Sequence, residues 1–243
     1  MIEANDLSIG YDGHPVQNKL TFEVSEGELV AILGGSGCGK TTLLRTLVGL
    51  LPPVAGSLSV AGLSDPSDLR GQPPFGVMFQ MGALFSSMTL EQNVSLPLEV
   101  WTDLDRGTIS EIARAKLALV GLDGRGGMAP SEISGGMKKR AAIARAMALD
   151  PPLLFLDEPS AGLDPSTSAG LDELILSLRD GLGTTIVLVT HELDSIQHLN
   201  ARCLMLDAGA GTLIADGLPG ELQDGATHPA VRAFFRREMK AKT

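Results

Sequence analysis

The 243-residue chain has few cysteines: Cys38 and Cys203 are its only two. Two cysteines are too few for a disulfide framework, so the class of small secreted domains held together by disulfides is excluded and a reducing cytoplasm is indicated. The first ten residues, MIEANDLSIG, have neither the basic stretch nor the apolar run of a signal peptide. We therefore expect a cytoplasmic protein.

Long apolar runs are also lacking. At no point do roughly 18 or more apolar residues follow one another, so we expect no helix that spans a membrane. If the protein drives transport through a bilayer, other chains must supply the path.

Basic residues are outnumbered by acidic ones. With 19 Lys and Arg against 29 Asp and Glu, the formal net charge is −10. General binding to nucleic acid needs an excess of Lys and Arg, so we expect no nucleic-acid partner. The basic run at Met137–Arg140 (MKKR) favours a solvated helix face over nucleic-acid recognition.

Short apolar runs alternate with helical stretches, which predicts a mostly parallel sheet flanked by helices. Buried strands are predicted at Leu29–Leu33, Phe75–Phe79, Leu153–Leu156, Ile186–Val189 and Cys203–Leu206. Antiparallel strands are predicted at Ile2–Tyr11 and Leu20–Val24, with part of a hairpin at Gly56–Gly62. Helices are predicted at Lys40–Leu50, Ile109–Val120, Gly136–Leu149, Ser166–Arg179 and Leu193–Leu199. The segment from about Gly82 to Ala148 interrupts the strand alternation and is predicted to be an inserted helical subdomain.

A glycine-rich loop follows the first buried strand and precedes a helix. Its residues are Gly34, Gly35, Ser36, Gly37, Cys38, Gly39, Lys40, Thr41 and Thr42, and the first eight match G-x-x-x-x-G-K-S/T in full. The glycines allow consecutive backbone N–H groups to turn inward around phosphate oxygens. Lys40 adds a charge for the β- and γ-phosphates, and the Thr41 hydroxyl can ligate Mg²⁺. The loop predicts an ATP-binding site.

Polar residues follow three of the other buried strands, and ligands of open parallel sheets bind beyond the carboxyl ends of the strands. Asp157 is predicted to bind Mg²⁺ through water, and Glu158 to polarise the water that attacks the γ-phosphate. The amide of Gln80 can reach both the metal and the water. His191, after another strand end, is predicted to lie beside the same pocket and to take part in catalysis.

The sequence ISGGM at Ile133–Met137 precedes an alanine-rich helix. Ser134 is suited to an N-cap, and Gly135 and Gly136 expose backbone N–H groups at the start of the helix. An ordinary helix cap is one interpretation. The other is a second anion site, through which a second copy of the protein presses on the same nucleotide.

Taken together, GGSGCGKTT, Gln80, ISGGMKKR, LLFLDEP, SAGLDP and His191 resemble the ATP-binding subunit of an ABC transporter from Tyr11 to His191. The resemblance implies an α/β fold over residues 1–243: a P-loop (RecA-like), mostly parallel sheet core, an N-terminal antiparallel β subdomain, the helical subdomain at about 82–148 and a C-terminal tail at about 220–243. It implies that Tyr11 stacks on adenine. It also implies that Ser134, Gly135 and Gly136 contact the γ-phosphate bound by the opposite subunit, and that Ser160–Asp164 couples the two sites. Two copies would close head to tail over two ATP molecules, and the motion would pass to membrane permease subunits through a groove beside Gln80.

Two segments resemble one subgroup of this family. FQMGALFSSMTLEQNVSLPLE, which begins at Phe79, and SGGMKKRAAIARAMALDP resemble the ATPases of Mce/Mla-type lipid transporters. This implies transport of phospholipids or other hydrophobic molecules, an Mce-domain protein and a STAS-domain subunit as further partners, and a place on the cytoplasmic face of the bacterial inner membrane. Met137 replaces the Gln that is commonest in the family, and it cannot make the side-chain hydrogen bonds of Gln.

Other functions remain open at this point. One is an importer for amino acids or another small solute, and another is a nucleotide-gated regulator or clamp without a transport role. The tail at His228–Thr243 is predicted to form a short helix whose apolar face, with Val231, Phe234 and Phe235, packs on the core, contacts another subunit or anchors at a membrane surface. We favour the subunit contact.

Overall fold

A computed structural model of the chain describes residues 1–68, 71–80 and 82–241, without the side chains of 236–241. The strands are β1 (Ile2–Tyr11), β2 (His14–Val24), β3 (Leu29–Gly34), β4 (Ala55–Val60), β5 (Phe75–Met78), β6 (Leu153–Asp157), β7 (Thr185–Val189), β8 (Arg202–Asp207) and β9 (Thr212–Gly217). The helices are α1 (Lys40–Leu47), α2 (Leu90–Trp101), α3 (Arg106–Leu119), α4 (Gly135–Ala146), α5 (Pro165–Leu182), α6 (Leu193–Leu199), α7 (Pro219–Gly225) and α8 (Pro229–Ala241). Met81, which belongs to the lipid-transporter motif, lies outside the described residues.

The chain divides into two compact units, Met1–Asp68 with Thr185–Thr243, and Leu69–Thr184. The first unit contains an antiparallel sheet in the order β2-β1-β4. It also contains β7, β3, β8 and β9 in that order, of which the first three run parallel and β9 pairs antiparallel with β8. All residues of β3 and β7 are buried, as expected for strands that are covered on both faces.

Strand β2 begins at His14, six residues before the predicted Leu20, because β1 and β2 form a tight hairpin. Tyr11 pairs with His14, and the two residues between them, Asp12 and Gly13, have φ angles of 51° and 78°. Positive φ at both central positions is the geometry of a type I′ turn, for which Asp-Gly is a favoured sequence. The Asp-Gly pair was therefore a usable hairpin signal that the sequence analysis missed.

The second unit contains the parallel pair β5 and β6 with helices α2 to α5. Helix α4 packs against α2, α3, α5 and β5, and its Ala141, Ala142 and Ala144 are buried. Small side chains allow close approach, and at Gly76 of β5 an added Cβ would overlap the carbonyl oxygen of Ala146. Strand β5 therefore has no room for a side chain where it crosses α4.

Most predicted elements are confirmed, with shifted ends. The first helix ends at Leu47 rather than Leu50, because Gly49 has a φ of 74°. Helices α2 and α7 and strand β9 were not predicted individually, although a helical segment was expected where α2 lies. In α2, a capping box joins Thr89 and Gln92 at the N-terminus, a pattern that the sequence does contain. The proposed subdomain boundaries stay a prediction.

The C-terminal helix α8 is present where a short helix was predicted. Its Val231 and Phe235 are buried. This part of the tail therefore packs on its own chain, and the predicted contact with another subunit stays a prediction. The side chains of Arg236, Arg237, Met239 and Lys240 in the same helix lie outside the described residues. Among the helices that the structure describes, none combines the length and the apolar character needed to cross a membrane.

Replacing Gly76 by Ala should destabilise the protein, because the new methyl group would overlap the backbone of α4. We expect a loss of about 1–3 kcal/mol in the free energy of unfolding, measured by denaturant titration. The control is Gly181→Ala near the end of α5, where an added Cβ meets no atom within 4 Å. Equal stability of the two variants would contradict the packing argument.

Candidate functional site

The glycine-rich loop leaves the buried strand β3 and ends at the first turn of α1. Gly34 has a φ of 146°, and an added Cβ there would overlap the thiol of Cys38 and the carbonyl oxygen of Leu206. Gly39 precedes α1 with a φ of 99° in the left-handed region. Gly35, Ser36 and Gly37 between them are exposed, so the backbone of the loop is accessible to an anion.

Lys40 lies at the start of α1 and turns back over the loop. Its Nζ donates hydrogen bonds to the carbonyl oxygens of Gly34 at 2.9 Å and Gly35 at 3.0 Å. These bonds hold the ammonium at the mouth of the loop, where it adds to the positive end of the helix dipole. The cation predicted to bind phosphate therefore lies against the loop, at the start of α1.

Tyr11 is connected to the same helix. Its hydroxyl lies 3.3 Å from the hydroxyl of Thr42, which is buried in the first turn of α1, and 43% of the surface of Tyr11 is exposed. Thr41 beside it is exposed. An anchored hydroxyl and an accessible ring are compatible with the predicted stacking on adenine, and an exposed Thr41 hydroxyl is compatible with the predicted role as a metal ligand.

Gln17 is a further residue of the loop that the sequence analysis missed. Its side chain is fully buried, and its Nε2 donates to the carbonyl oxygens of Cys38 at 2.7 Å and Asp207 at 3.0 Å. The amide thereby fixes the backbone of the loop to the end of β8. A polar residue within an alternating strand was the only signal, and it is too common to identify such a role.

His191 follows β7, and the register of the sheet determines its position. Ile32 of β3 pairs with Val189 of β7, so Gly34 and His191 each lie two residues beyond this pair. The backbone N–H of the buried Thr190 donates to Ile32, and His191 itself is exposed. The predicted position of His191 at the edge that carries the loop is therefore confirmed, whereas its catalytic role stays a prediction.

Asp157 is the last residue of β6 in the second unit, and Glu158 follows it. They are only 7% and 8% exposed, so they do not form an acidic pair on the surface of the chain. Glu158 has a φ of 48°, a left-handed conformation that residues other than glycine rarely adopt. Such backbone persists only where its surroundings hold it, and it concentrates at functional sites.

Gln80 lies beside Glu158 because β5 and β6 are parallel and in register. Met78 pairs with Leu156, and Gln80 and Glu158 each follow this pair by two residues. Lys139 of α4 connects them: its Nζ donates to the carbonyl oxygen of Gln80 at 2.5 Å and to that of Glu158 at 2.9 Å. The structure thus brings together two predicted site residues of this unit through a lysine that was not predicted.

The prediction of a solvated basic face at Met137–Arg140 holds for Lys138, which is exposed, and is wrong for Lys139 and Arg140. Arg140 donates to the carbonyl oxygens of Val120 at 3.1 Å and Gly170 at 2.6 Å. Both side chains reach carbonyl groups on other segments, which a local charge pattern does not reveal.

Ser134 is the N-cap residue of α4, as predicted, and its hydroxyl accepts a hydrogen bond from the N–H of Met137 at 3.3 Å. Ser134 and Gly135 are exposed. Gly136 is buried, and an added Cβ there would overlap Thr167 of α5. The first glycine can therefore present its backbone to an anion, whereas the second is also required for packing.

The loop between β6 and α5 is fixed at its end. Asp164 is the N-cap residue of α5 and accepts from the N–H groups of Ser166 and Thr167 at 3.1 and 3.0 Å. The pKa of Asp164 is lowered, mainly because its carboxylate accepts a hydrogen bond from the Thr167 hydroxyl. The loop Ser160–Asp164, for which a coupling role is predicted, is therefore fixed at Asp164.

Comparison with known proteins identifies a family. The family described as ABC transporter matches residues 17–161. The chain is 41% identical over 198 residues to the probable ribonucleotide transport ATP-binding protein mkl of Mycobacterium tuberculosis, a match that covers 79% of this chain and 55% of that protein. This chain therefore spans little more than half the length of its mycobacterial relative.

A second relative aligns over nearly the whole chain. The intermembrane phospholipid transport system ATP-binding protein MlaF of Escherichia coli is 35% identical over 240 residues, covering 97% of this chain and 88% of MlaF. Among solved structures, a dimeric ATP-binding cassette named MJ0796, bound to ADP and phosphate, matches with a TM-score of 0.78 and 26% identity over 90% of this chain and 98% of that one. These matches confirm the predicted fold class.

The thiol of Cys38 should be unreactive although it lies in the predicted phosphate loop. Only 1% of Cys38 is exposed, and this burial is the main reason that the pKa of its thiol is raised. Burial also raises the pKa of Cys203 to about 12. A raised pKa leaves the protonated thiol dominant at neutral pH, whereas the thiolate is the nucleophile. We therefore expect both cysteines to react slowly, until the protein is unfolded, with an aromatic disulfide reagent that releases a coloured product.

The matched control is Ser36→Cys, two residues earlier and exposed. It should add one fast-reacting thiol whose rate rises with pH toward the ordinary thiol pKa of about 8.5. Fast reaction of the unsubstituted protein without denaturant would show that the burial argument is wrong.

Proposed function

The chain belongs to the ABC transporter family, and we propose that it is the ATP-hydrolysing subunit of a transporter that moves phospholipids or other hydrophobic molecules. The observation that carries the hydrolytic part is the end of β6. There a nearly buried Glu158 is held in a left-handed conformation beside Gln80. The match to MlaF over 97% of the chain supports the lipid part.

The nucleotide would be held by the loop Gly34–Thr42 and by Tyr11. Backbone N–H groups of the exposed Gly35–Gly37 segment would bind phosphate oxygens, and Lys40 would exchange its bonds to loop carbonyls for bonds to the β- and γ-phosphates. Thr41 and Thr42 follow at the start of α1, where the helix dipole favours an anion.

The side chains predicted to bind magnesium have the chemistry that this ion prefers. Mg²⁺ prefers oxygen ligands and is usually bound through one or two carboxylates together with substrate phosphates. Thr41 supplies an exposed hydroxyl, Gln80 an amide oxygen and Asp157 a carboxylate that is 7% exposed and so suited to a nearby cation. When bound, the ion neutralises charge on the phosphate oxygens.

Glu158 would act as the general base. Its carboxylate would orient the attacking water and accept the proton that the water loses as its oxygen bonds to the γ-phosphorus. The bond from this phosphorus to the β–γ bridging oxygen would break in the same step, so that ADP leaves. Gln80 would help to position this water, and His191 would contact the γ-phosphate from the strand end beside the loop. Lys40 would stabilise the charge that develops on the transferred group.

A second copy of the chain would complete the site. Ser134 and Gly135 are exposed at the N-terminus of α4, where backbone N–H groups suit an anion. Together with Gly136 they would contact the γ-phosphate bound by the opposite subunit in a head-to-tail dimer. Transmembrane permease subunits, an Mce-domain protein and a STAS-domain subunit would be the further partners, on the cytoplasmic face of the bacterial inner membrane.

Two other functions are separable from this proposal. The name of the mycobacterial relative refers to ribonucleotide transport, so import of a small polar solute is the main alternative for the cargo. A nucleotide-gated regulator without transport would bind ATP but need not hydrolyse it.

Replacing Glu158 by Gln should preserve ATP binding and lower the turnover of ATP by roughly a hundredfold or more, because the amide is no general base. The matched control is Glu111→Gln on the exposed face of α3, which should keep normal turnover.

Lys40→Ala should instead weaken ATP binding by roughly tenfold or more, because a charged hydrogen-bond donor to phosphate is lost. Binding by calorimetry and phosphate release separate the two effects, and full turnover in the Glu158 variant would exclude its role.

The cargo can be tested on the assembled transporter. We expect phospholipids to co-purify with the chain and its membrane partners and to be enriched over a mock purification from cells without the tagged protein. Extraction and mass spectrometry measure this enrichment. A complex without bound lipid whose ATP hydrolysis rises with added ribonucleotide would favour the importer instead.

A further inference from the structure

Lys139 is a half-buried cation in the middle of the second unit. It lies in the second turn of α4, five residues after Ser134, and its ammonium donates to two backbone carbonyl groups, those of Gln80 and Glu158. An ammonium carries three donors and no acceptor, so it can bond to both carbonyls at once. Neither carbonyl belongs to a strand, because β5 ends at Met78 and β6 at Asp157.

The backbone that Lys139 contacts is strained. Glu158 has a φ of 48°, and its carbonyl oxygen accepts from Lys139 at 2.9 Å and from the N–H of Ala161 at 3.3 Å. A non-glycine residue in this region needs surrounding contacts to hold it there. The lysine provides such a contact at the peptide group that directly follows the Glu158 side chain, and this peptide group helps to determine where the carboxylate points.

The charge of Lys139 is also placed to act on this site. Burial lowers the pKa of its ammonium, and the charges of Asp157 and Glu158 oppose that shift. The electrostatic attraction between the cation and the two carboxylates adds to the hydrogen bonds to backbone. An apolar side chain of the same length would lose both.

Helix α4 holds the segment after β5 at a second point. Arg145, six residues beyond Lys139, donates to the carbonyl oxygens of Gly82 at 2.9 Å and Ala83 at 2.7 Å. The backbone on both sides of Met81 is thus bonded to the helix that begins at Ser134. Of these two cations, Lys139 also donates to the carbonyl oxygen of Glu158, and Arg145 does not.

We propose that Lys139 is a positioning residue for ATP hydrolysis: it holds the backbone of Glu158 in its left-handed conformation and fixes it to the backbone of Gln80. The inference rests on the proposed function, since it assigns to Lys139 the placement of the general base. Lys139 touches neither nucleotide phosphate nor water in this role. Its removal therefore changes the rate of the chemical step more than the binding of ATP.

The test compares the full-length Lys139→Met and Lys138→Met variants. Methionine keeps an unbranched chain and a good helix propensity but removes the charge and the donors. We expect Lys139→Met to lower kcat for ATP hydrolysis by roughly tenfold to a hundredfold, as for a misplaced catalytic group, with KM and the dissociation constant of ATP changed by less than about threefold. Lys138 is exposed on the same helix, and its variant should keep the normal kcat.

Rescue separates positioning from a loss of structure. Lys139→Arg restores charge and donors with a different geometry, so its kcat should lie between those of the methionine variant and the unsubstituted protein. Thermal unfolding of all variants is measured in parallel. If Lys139→Met has no cooperative transition, Lys139→Gln serves in its place, because it keeps hydrogen-bond donors on a helix-forming side chain without the charge. Its kcat should then lie below that of Lys139→Arg.

The outcomes are distinguishable from those of the proposed function. Normal kcat in Lys139→Met, with Glu158→Gln inactive, overturns the role of Lys139 and leaves the ATPase assignment intact. Weakened ATP binding with normal kcat overturns it as well. Normal turnover in Glu158→Gln overturns the general base, and the positioning role falls with it.

Discussion

The arrangement of the second unit depends on cationic side chains of α4 that donate hydrogen bonds to backbone carbonyl groups. The strands β5 and β6 end in register, and the peptide groups beyond their ends have no strand partner. Lys139 and Arg145 donate to carbonyls in these segments, so α4 fixes where each chain goes after its strand. Backbone carbonyl groups outside helices and strands need such partners wherever water does not reach them. The alanine-rich face of α4 allows this contact, because small residues bring the helix close to β5.

A corresponding constraint acts in the first unit. The loop after β3 must turn sharply, and glycine at both of its ends permits the turn. Gln17 then fixes the backbone of Cys38 to that of Asp207, while Lys40 closes over the loop carbonyls. In each unit, therefore, a side chain from a neighbouring element holds a loop backbone, and the predicted catalytic groups project from that backbone.

The sequence predicted most of the strands, for physical reasons. A run such as Leu29–Leu33 is apolar on both faces, and the glycine spacing around Lys40 has few other uses. It did not predict that Glu158 is left-handed or that Lys139 is half-buried. Backbone strain and the direction of a long flexible side chain depend on strand register and helix packing, which neighbouring letters do not contain. For the same reason the two-residue hairpin turn was detectable in the sequence, whereas the role of Gln17 was not.

Hydrogen–deuterium exchange tests most directly whether α4 holds these segments. The peptides of interest cover 82–85 and 158–163, and the comparison is between the unsubstituted protein, Lys138→Met and the double variant Lys139→Met, Arg145→Met. The account predicts faster exchange in both peptides of the double variant, with unchanged exchange in β6 and α5 and normal exchange in Lys138→Met. Equal protection of the two peptides in all three proteins would contradict it.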